Sequence, residues 1–391
     1  MTNQPSVEKP KDLVVTPPPQ IAGAMSKTRM MTYTFAALLA ITIITAALWW
    51  PVMTPTEAQI STLSLTGIIA MPLGAILLLN ALVAVGVAVL SDVIIGKVAV
   101  DSELNIMSAA VFGLIVTLSY SLGVPGMAMG MEVIPIETLS APGCFAYVAI
   151  ISFIGLVVFK KLQGMKGRKF VNPAAAAKFL VLLPFIMSVF LAKEHWAPYT
   201  EGGLSTPQLA GPIGNELIGN NGLASFSSYL QGCYNNPAVM NPPSLESLML
   251  LVKYHGWPGG ASSIAVIVVG IVLVVLLRNY FKWKITATYF GSVAAMSLIM
   301  TALYGGDPTV RLLFELFIGS SIFLGFFMAT DPATTPYSGT GQIIFGIGLG
   351  VLTVIIQTYM NFFGGALLAL LIMNLTVPLL DRVGIHKPFG R

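Results

Sequence analysis

ATDPATTPYSGTGQIIFG, residues 329–346, is a polar, proline-interrupted segment set between two apolar runs, with a single acid at Asp331. Irregular backbone between hydrophobic spans is tolerated only where protein or a polar cavity covers it, because lipid cannot satisfy its N–H and C=O groups. An acid at that position is a functional feature by default. The plainer reading is a short loop in which Asp331 and Pro332 end one helix. Either way, the segment divides two membrane helices, and the fold follows from counting outward from it.

Composition places the whole chain in the membrane class. Of 391 residues, 55% are hydrophobic and only 9% charged, and the mean hydropathy is +0.83, far from a soluble domain. A net charge of +4, with no basic patch interleaved with aromatics, gives no sign of nucleic-acid binding. Three histidines and two cysteines lack ligand-like spacing, so no metal centre is expected and redox chemistry here would use an organic cofactor.

Residues 1–30, with KPKDLVVTPPPQ, read as a disordered cytoplasmic tail rather than a cleaved signal. Apolar runs follow at about 31–50, 66–96, 106–124, 142–160, 172–192, 259–281, 285–304, 310–328, 342–360 and 363–380. Each reaches the roughly 17–25 residues a bilayer requires. The expected fold is an all-α polytopic membrane protein with about ten transmembrane helices. With the N-terminus inside, the basic residues off the inner segments are Lys178, Lys193, Lys253 and Arg311, which leaves 20 − 4 = 16 inside. That asymmetry sets both termini in the cytoplasm.

Ten helices divide into two sets of five, 31–192 and 259–382, with a short cytoplasmic tail at 383–391. Because each set is odd, the second enters from the opposite side, so the sets form inverted repeats. The halves rhyme weakly: Gly123-Val124-Pro125 against Asp331-Pro332, and VNPAAAAKFLVLLP (171–184) against LALLIMNLTVP (368–378). Between the sets, residues 193–258 form one long extracytoplasmic loop rich in Gly, Pro, Asn and Ser, of a length that points to function or disorder.

Motifs across nearly the whole chain then converge on one family. PPPQIAGAMSKTRMM (17–31), Asp101-Ser102 with SAAVFGLIVTLSYSLGVP (108–125), GRKFVNPA (167–174), GWPGGASS (256–263), MATDPATTPYSGTGQIIFGIGLGVLTVIIQTY (328–359) and NLTVPLLDR (374–382) occur in order. The chain resembles RnfD, a membrane component of the Rnf complex, and its relative NqrB, from the sodium-pumping NADH:quinone reductase. Its tail and length suit the Rnf protein better.

The resemblance implies a component of an ion-translocating oxidoreductase, not catalytic alone, in a prokaryotic plasma membrane. Such proteins carry covalent FMN, joined through its phosphate to an outer-loop threonine, and a second, non-covalent flavin, riboflavin, in the bundle. The complex moves electrons between ferredoxin and NAD or another carrier, coupled to Na+ or H+ export. Partners implied are the other Rnf subunits (A, B, C, E and G), ferredoxin indirectly, and a flavin transferase for maturation. The attachment residue falls at Thr206, before Pro207, although Gly203, Leu204 and Ser205 stand where the family has Ser, Gly and Ala; Ser205 is the fallback hydroxyl. A Gly-rich exposed loop suits such a modification. Asn172 reads either as the cap of the fifth helix before Pro173 or, by the resemblance, as an amide bonding the bundle flavin. Thr330 and Asp331 would line the same flavin pocket.

The remaining charges in the spans have structural readings. Arg311 and Glu315 are four apart and could pair, while Asp92 and Lys178 lie near inner ends, where they could snorkel. GIGLG (346–350) lies inside a span, so its glycines serve helix packing and not a nucleotide. Cys144 and Cys233 share the outer side and could pair. Rival functions are a urea-transporter-like solute channel and a structural membrane component without cofactor.

Overall fold

The computed structural model describes residues 26–54, 69–98, 105–123, 141, 143–165, 169–191, 250–304, 308–318, 321–360 and 365–383. Helix falls within each of the ten apolar runs. In the first half these are α1 (Lys27–Trp49), α2 (Leu73–Val98), α3 (Ile106–Ser119), α4 (Gly143–Ile154, continuing in π geometry over Gly155–Leu162) and α5 (Pro173–Leu191). The second half holds α6 (Ser263–Leu277), α7 (Trp283–Tyr304), α8 (Pro308–Leu313, then π-helical Phe314–Ile318) and α9 (Ser321–Phe323, then π-helical Leu324–Met328). It closes with α10 (Gly339–Met360) and α11 (Gly365–Leu380).

Polar residues set where these helices begin. Ser26 accepts a hydrogen bond from Arg29 N at 3.2 Å, Asn105 from Ser108 N at 3.0 Å and Ser262 from Ala265 N at 3.4 Å, each satisfying a donor of the first turn. Among the described residues, five helices are long and apolar enough to cross a membrane, or six if α8 and α9, bent by 58°, count as one crossing. The chain is a multi-pass membrane protein.

Full spanning length is expected of every run, and the structure corrects this. α3 has 14 residues, α6 has 15 and α11 has 16; at 1.5 Å per residue, 14 residues rise about 21 Å against a hydrocarbon core of about 30 Å. After α3 the chain leaves the helix at Tyr120, and α6 is flanked by 3-10 turns at Pro258–Gly260 and Arg278–Tyr280. Two antiparallel pairs, β1 (Met53–Thr54) with β2 (Met71–Pro72) and β3 (Leu122–Gly123) with β4 (His255–Gly256), supplement the all-α expectation. The second run accordingly turns helical only at Leu73, after Pro72 at the end of β2.

Buried polar side chains satisfy this irregular backbone, as a membrane interior requires. Trp49 Nε1 donates to Lys253 O at 2.6 Å, and Thr45 Oγ1 to Pro258 O at 3.1 Å. The Lys178 ammonium donates to Ser119 O at the end of α3 and lies 4.3 Å from the Trp257 ring centroid. The Lys253 ammonium donates to Phe317 O and to Ser263 Oγ. Lys178 is therefore buried and does not snorkel. Lys253 and Trp257, read from sequence as loop residues outside the membrane, are packed into the protein at 2% and 7% exposure.

Asp92 does not reach for solvent either. It is 1% exposed, forms a 2.5 Å ion pair with Lys161 and accepts a hydrogen bond from Asn105 N at 3.0 Å, tying α2 to α4 and to the cap of α3. Close helix approach depends on small residues, as expected. A Cβ on Gly346 would come within 2.0 Å of Thr288 Oγ1, and one on Gly350 within 1.9 Å of Ser292 Oγ, so α10 lies directly on α7. Cys144 is buried beside Asn80, whose Nδ2 lies 3.5 Å from its sulfur; Cys233 lies outside the described residues.

Candidate functional site

The segment after α9 is a closed polar turn. Asp331 Oδ1 accepts from Ala333 N at 3.1 Å, its Oδ2 from Thr334 Oγ1 at 3.3 Å, and its carbonyl from Thr335 Oγ1 at 2.6 Å. Asp331 thus folds the chain back on itself, the local bonding that Asp favours at turns. Thr330 Oγ1 donates to Phe326 O at 2.7 Å. Lys282, from the link between α6 and α7, clamps the turn from outside: its ammonium donates to Thr335 Oγ1 at 2.6 Å, Thr335 O at 3.1 Å and Pro332 O at 3.3 Å. Ser338 then starts α10 by accepting from Gly341 N at 2.9 Å.

Two asparagines carry the turn to the rest of the bundle. Asn374 of α11 donates from Nδ2 to Thr334 O at 3.0 Å, and its Oδ1 accepts from Asn172 N at 2.8 Å. Asn172 Oδ1 accepts from Ala174 N and Ala175 N at 3.1 and 3.2 Å, and its Nδ2 donates to Met328 O at 3.3 Å. Asn172 is thus the cap of α5 and also a tether to the last carbonyl of α9. One amide hydrogen of Asn172 remains for any ligand.

Thr330, Asp331 and Pro332 form the polar edge of a cleft of about 110 Å³. Its apolar walls come from Met30, Met31 and Thr34 of α1, Val111 and Ile115 of α3, Leu273 and Leu277 of α6, and Phe326 and Phe327 of α9. Tyr280 and Phe281 add aromatic surface. Asp331 also lies within electrostatic reach of Lys160, which donates to Ser108 O at 2.6 Å. The sequence-derived set is therefore divided: Thr330 and Asp331 line the cleft, while Asn172 does not and instead bonds Met328 O, two residues before Thr330. Thr206 and Ser205 lie outside the described residues.

A planar aromatic ligand with a hydrogen-bonding rim fits the chemistry of this cleft. The rings of Phe326, Phe327 and Phe281 offer stacking surface, and the Asp331 carboxylate retains lone pairs beyond those its turn uses. The volume is below the range of about 300–1,000 Å³ usual for a ligand pocket, so a flavin ring would enter only with rearrangement of the wall side chains. Sequence reasoning missed Lys282 as the turn's clamp and Asn374 as its tether. Asn374 was visible only as the first residue of NLTVPLLDR.

Comparison with known proteins adds the family. A profile described as the NQR2, RnfD, RnfE family matches residues 138–390. The chain is 29% identical over 62% of its length to the D component of the proton-translocating ferredoxin:NAD(+) oxidoreductase complex of Clostridium ljungdahlii, covering 68% of that protein. It is 27% identical over 61% of its length to the D component of the Na(+)-translocating ferredoxin:NAD(+) oxidoreductase complex of Acetobacterium woodii, covering 65% of it. Against the B component of the Na(+)-translocating NADH-quinone reductase of Ectopseudomonas mendocina it is 28% identical, covering 55% of that protein. This multi-pass membrane chain belongs to the NQR2, RnfD, RnfE family.

Proposed function

We propose that this chain is the RnfD-type membrane component of an ion-translocating electron-transport complex in a prokaryotic plasma membrane. It carries FMN on the Thr206 hydroxyl, with Ser205 the neighbouring alternative, and a non-covalent riboflavin at the Thr330–Asp331 cleft. The observation that carries this reading is the family match over residues 138–390, which includes both the loop and the turn. The flavins supply electron transfer between ferredoxin-linked and NAD- or carrier-linked partners. This chain's residues do the rest: Asp331 and Thr330 present a polar rim, the α9 aromatics exclude water, and Asn172 holds α5 against the end of α9.

The chain crosses the membrane ten times in two inverted five-helix repeats, with both termini cytoplasmic. Supporting this, α1 packs on α6 and α5 on α11, so the first and fifth members of each half meet their counterparts. Within the halves α2 packs on α4, as α7 does on α10. The other Rnf subunits (A, B, C, E and G) surround it, ferredoxin acts through them, and a flavin transferase installs the FMN; the exported ion is Na+ or H+. The Rnf reading is favoured over the NqrB reading because the aligned region spans more of the Rnf relative, 68% against 55%.

Thr206→Val keeps the shape of the side chain and removes its hydroxyl. The expected outcome is loss of the covalent adduct and of ferredoxin-dependent electron transfer in a complex that still assembles. Mass spectrometry of the loop peptide from the native host decides. An FMN-sized addition on Thr206 supports the assignment and one on Ser205 moves it. An unmodified peptide refutes it and revives the solute-channel reading.

A further inference from the structure

Glu315 is a second feature of the bundle, distinct from the cleft and unused by the flavin reading. It is 1% exposed, and neither carboxylate oxygen has a hydrogen-bond partner among the described residues. It lies in the π-helical Phe314–Ile318 segment, just before α8 and α9 break at 58°. Such turns, and broken membrane helices, are enriched at functional sites. A purely structural carboxylate at this depth would be hydrogen bonded, ideally by a forked guanidinium.

The groups around Glu315 come from several elements. Arg311, one turn earlier on α8 and 1% exposed, acts on it electrostatically. Tyr289 of α7 feels the Glu315 charge, and its hydroxyl lies beside Ser321 of α9 and Thr353 of α10 without a well-formed hydrogen bond to either. Ser321 Oγ donates to Glu315 O at 3.0 Å. Lys253 caps Phe317 O in the same π segment. A neighbouring guanidinium makes a poor cage for an alkali ion. It does suit a carboxyl that exists in both protonation states, since Arg311 balances the charge when the acid ionises.

We propose that Glu315 is a proton-exchanging carboxyl at the α8–α9 break, with the Tyr289 and Ser321 hydroxyls as its neighbours in a proton path through the outer half of the bundle. This rests on the ion-translocating reading and names the ion handled at this position. The carboxylic acid releases H+ to water on one side and the carboxylate regains H+ from the other. No electron moves at Glu315.

Infrared difference spectra of the full-length protein in detergent, taken through a pH titration, test the site without reference to flavin. A protonated-carboxyl stretching band that disappears on deprotonation and shifts in heavy water is expected. It should be lost in Glu315→Gln and displaced in Glu315→Asp. The same band persisting unchanged in both variants overturns the proposal. Its removal by Na+ at fixed pH overturns it too, making the site a sodium site. In proteoliposomes of the assembled complex, Glu315→Gln should lose proton accumulation relative to electrons transferred, and an unaltered ratio refutes the role. Because the band does not depend on electron transfer, failure of the flavin reading would leave this result distinct.

Discussion

Asn374 Oδ1 accepts the backbone N–H of Asn172 across 2.8 Å, joining α11 to the first turn of α5 although 202 residues separate them. The same Asn374 amide donates to Thr334 O, so one side chain holds the start of α5 and the polar turn after α9 in a fixed relation. Both asparagines are buried, Asn172 at 3% and Asn374 at 1% exposure. Asn374→Ala leaves a buried N–H and a buried C=O unpaired, at about 1–3 kcal/mol each. The variant should therefore unfold at clearly lower temperature or denaturant in detergent. A loss below about 0.5 kcal/mol would mean that the two groups find other partners.

Lys253 predicts the direction of a pH effect. It lies outside the spanning helices, and burial pushes its ammonium from 10.5 down to about 7. Below that pH the group is charged in both folded and unfolded chains, so its contribution is constant and at its most unfavourable. Above it, the folded chain has released the proton while the unfolded chain keeps it until the ordinary lysine range. Stability from this group therefore rises with pH across that window, by up to about 1.4 kcal/mol per unit. Melting in detergent should show the wild type gaining on Lys253→Met between neutral pH and pH about 9. A difference that stays flat or runs the other way contradicts the burial of this amine.

Orientation is checked with an impermeant thiol reagent on intact cells. Single cysteines placed in the 160–170 and 278–284 segments should stay unlabelled, and one near residue 220 should react. The basic residues of the inner segments, such as Lys160, Lys161 and Arg278, carry this expectation. Labelling of the 160–170 segment from outside would invert the chain and remove the outer flavin site with it.

Helix positions were legible in the sequence because lipid-compatible runs are long and nearly free of charge; α1, α7 and α10 fall close to their expected limits. What was not legible is where a run stops being helical. Nothing local in SYSLGVP or GWPGGASS announces that β3 and β4 pair with each other, since the pairing joins segments more than 130 residues apart. The charges misled for the same reason. Asp92 and Lys178 lie near inner ends by count, yet Lys161 on α4 and Trp257 before α6 supply partners that hold them inside. At the cleft, Asp331 and its turn stood out because a polar segment between apolar runs is rare. Lys282 looked like one more cytoplasmic lysine.

Asn172 separates a helix cap from a flavin ligand, and replacing it tests both roles at once. Its Oδ1 already accepts two N–H groups of the first turn of α5, and its Nδ2 already holds Met328 O, so Asn172→Ala should cost about 0.5–2 kcal/mol for the cap and loosen α9 at Met328. Thr330 and Asp331 follow close behind Met328 and form the cleft's polar rim. A flavin held there should therefore be lost even without a direct bond to Asn172. Asn172→Asp restores the accepting oxygens and not the donor to Met328 O, so it should recover much of the cap while leaving the cleft loosened. The expected result is less extractable flavin in both variants, with covalent flavin on the outer loop unchanged. Flavin retained in full by a folded Asn172→Ala protein would leave this residue a cap alone.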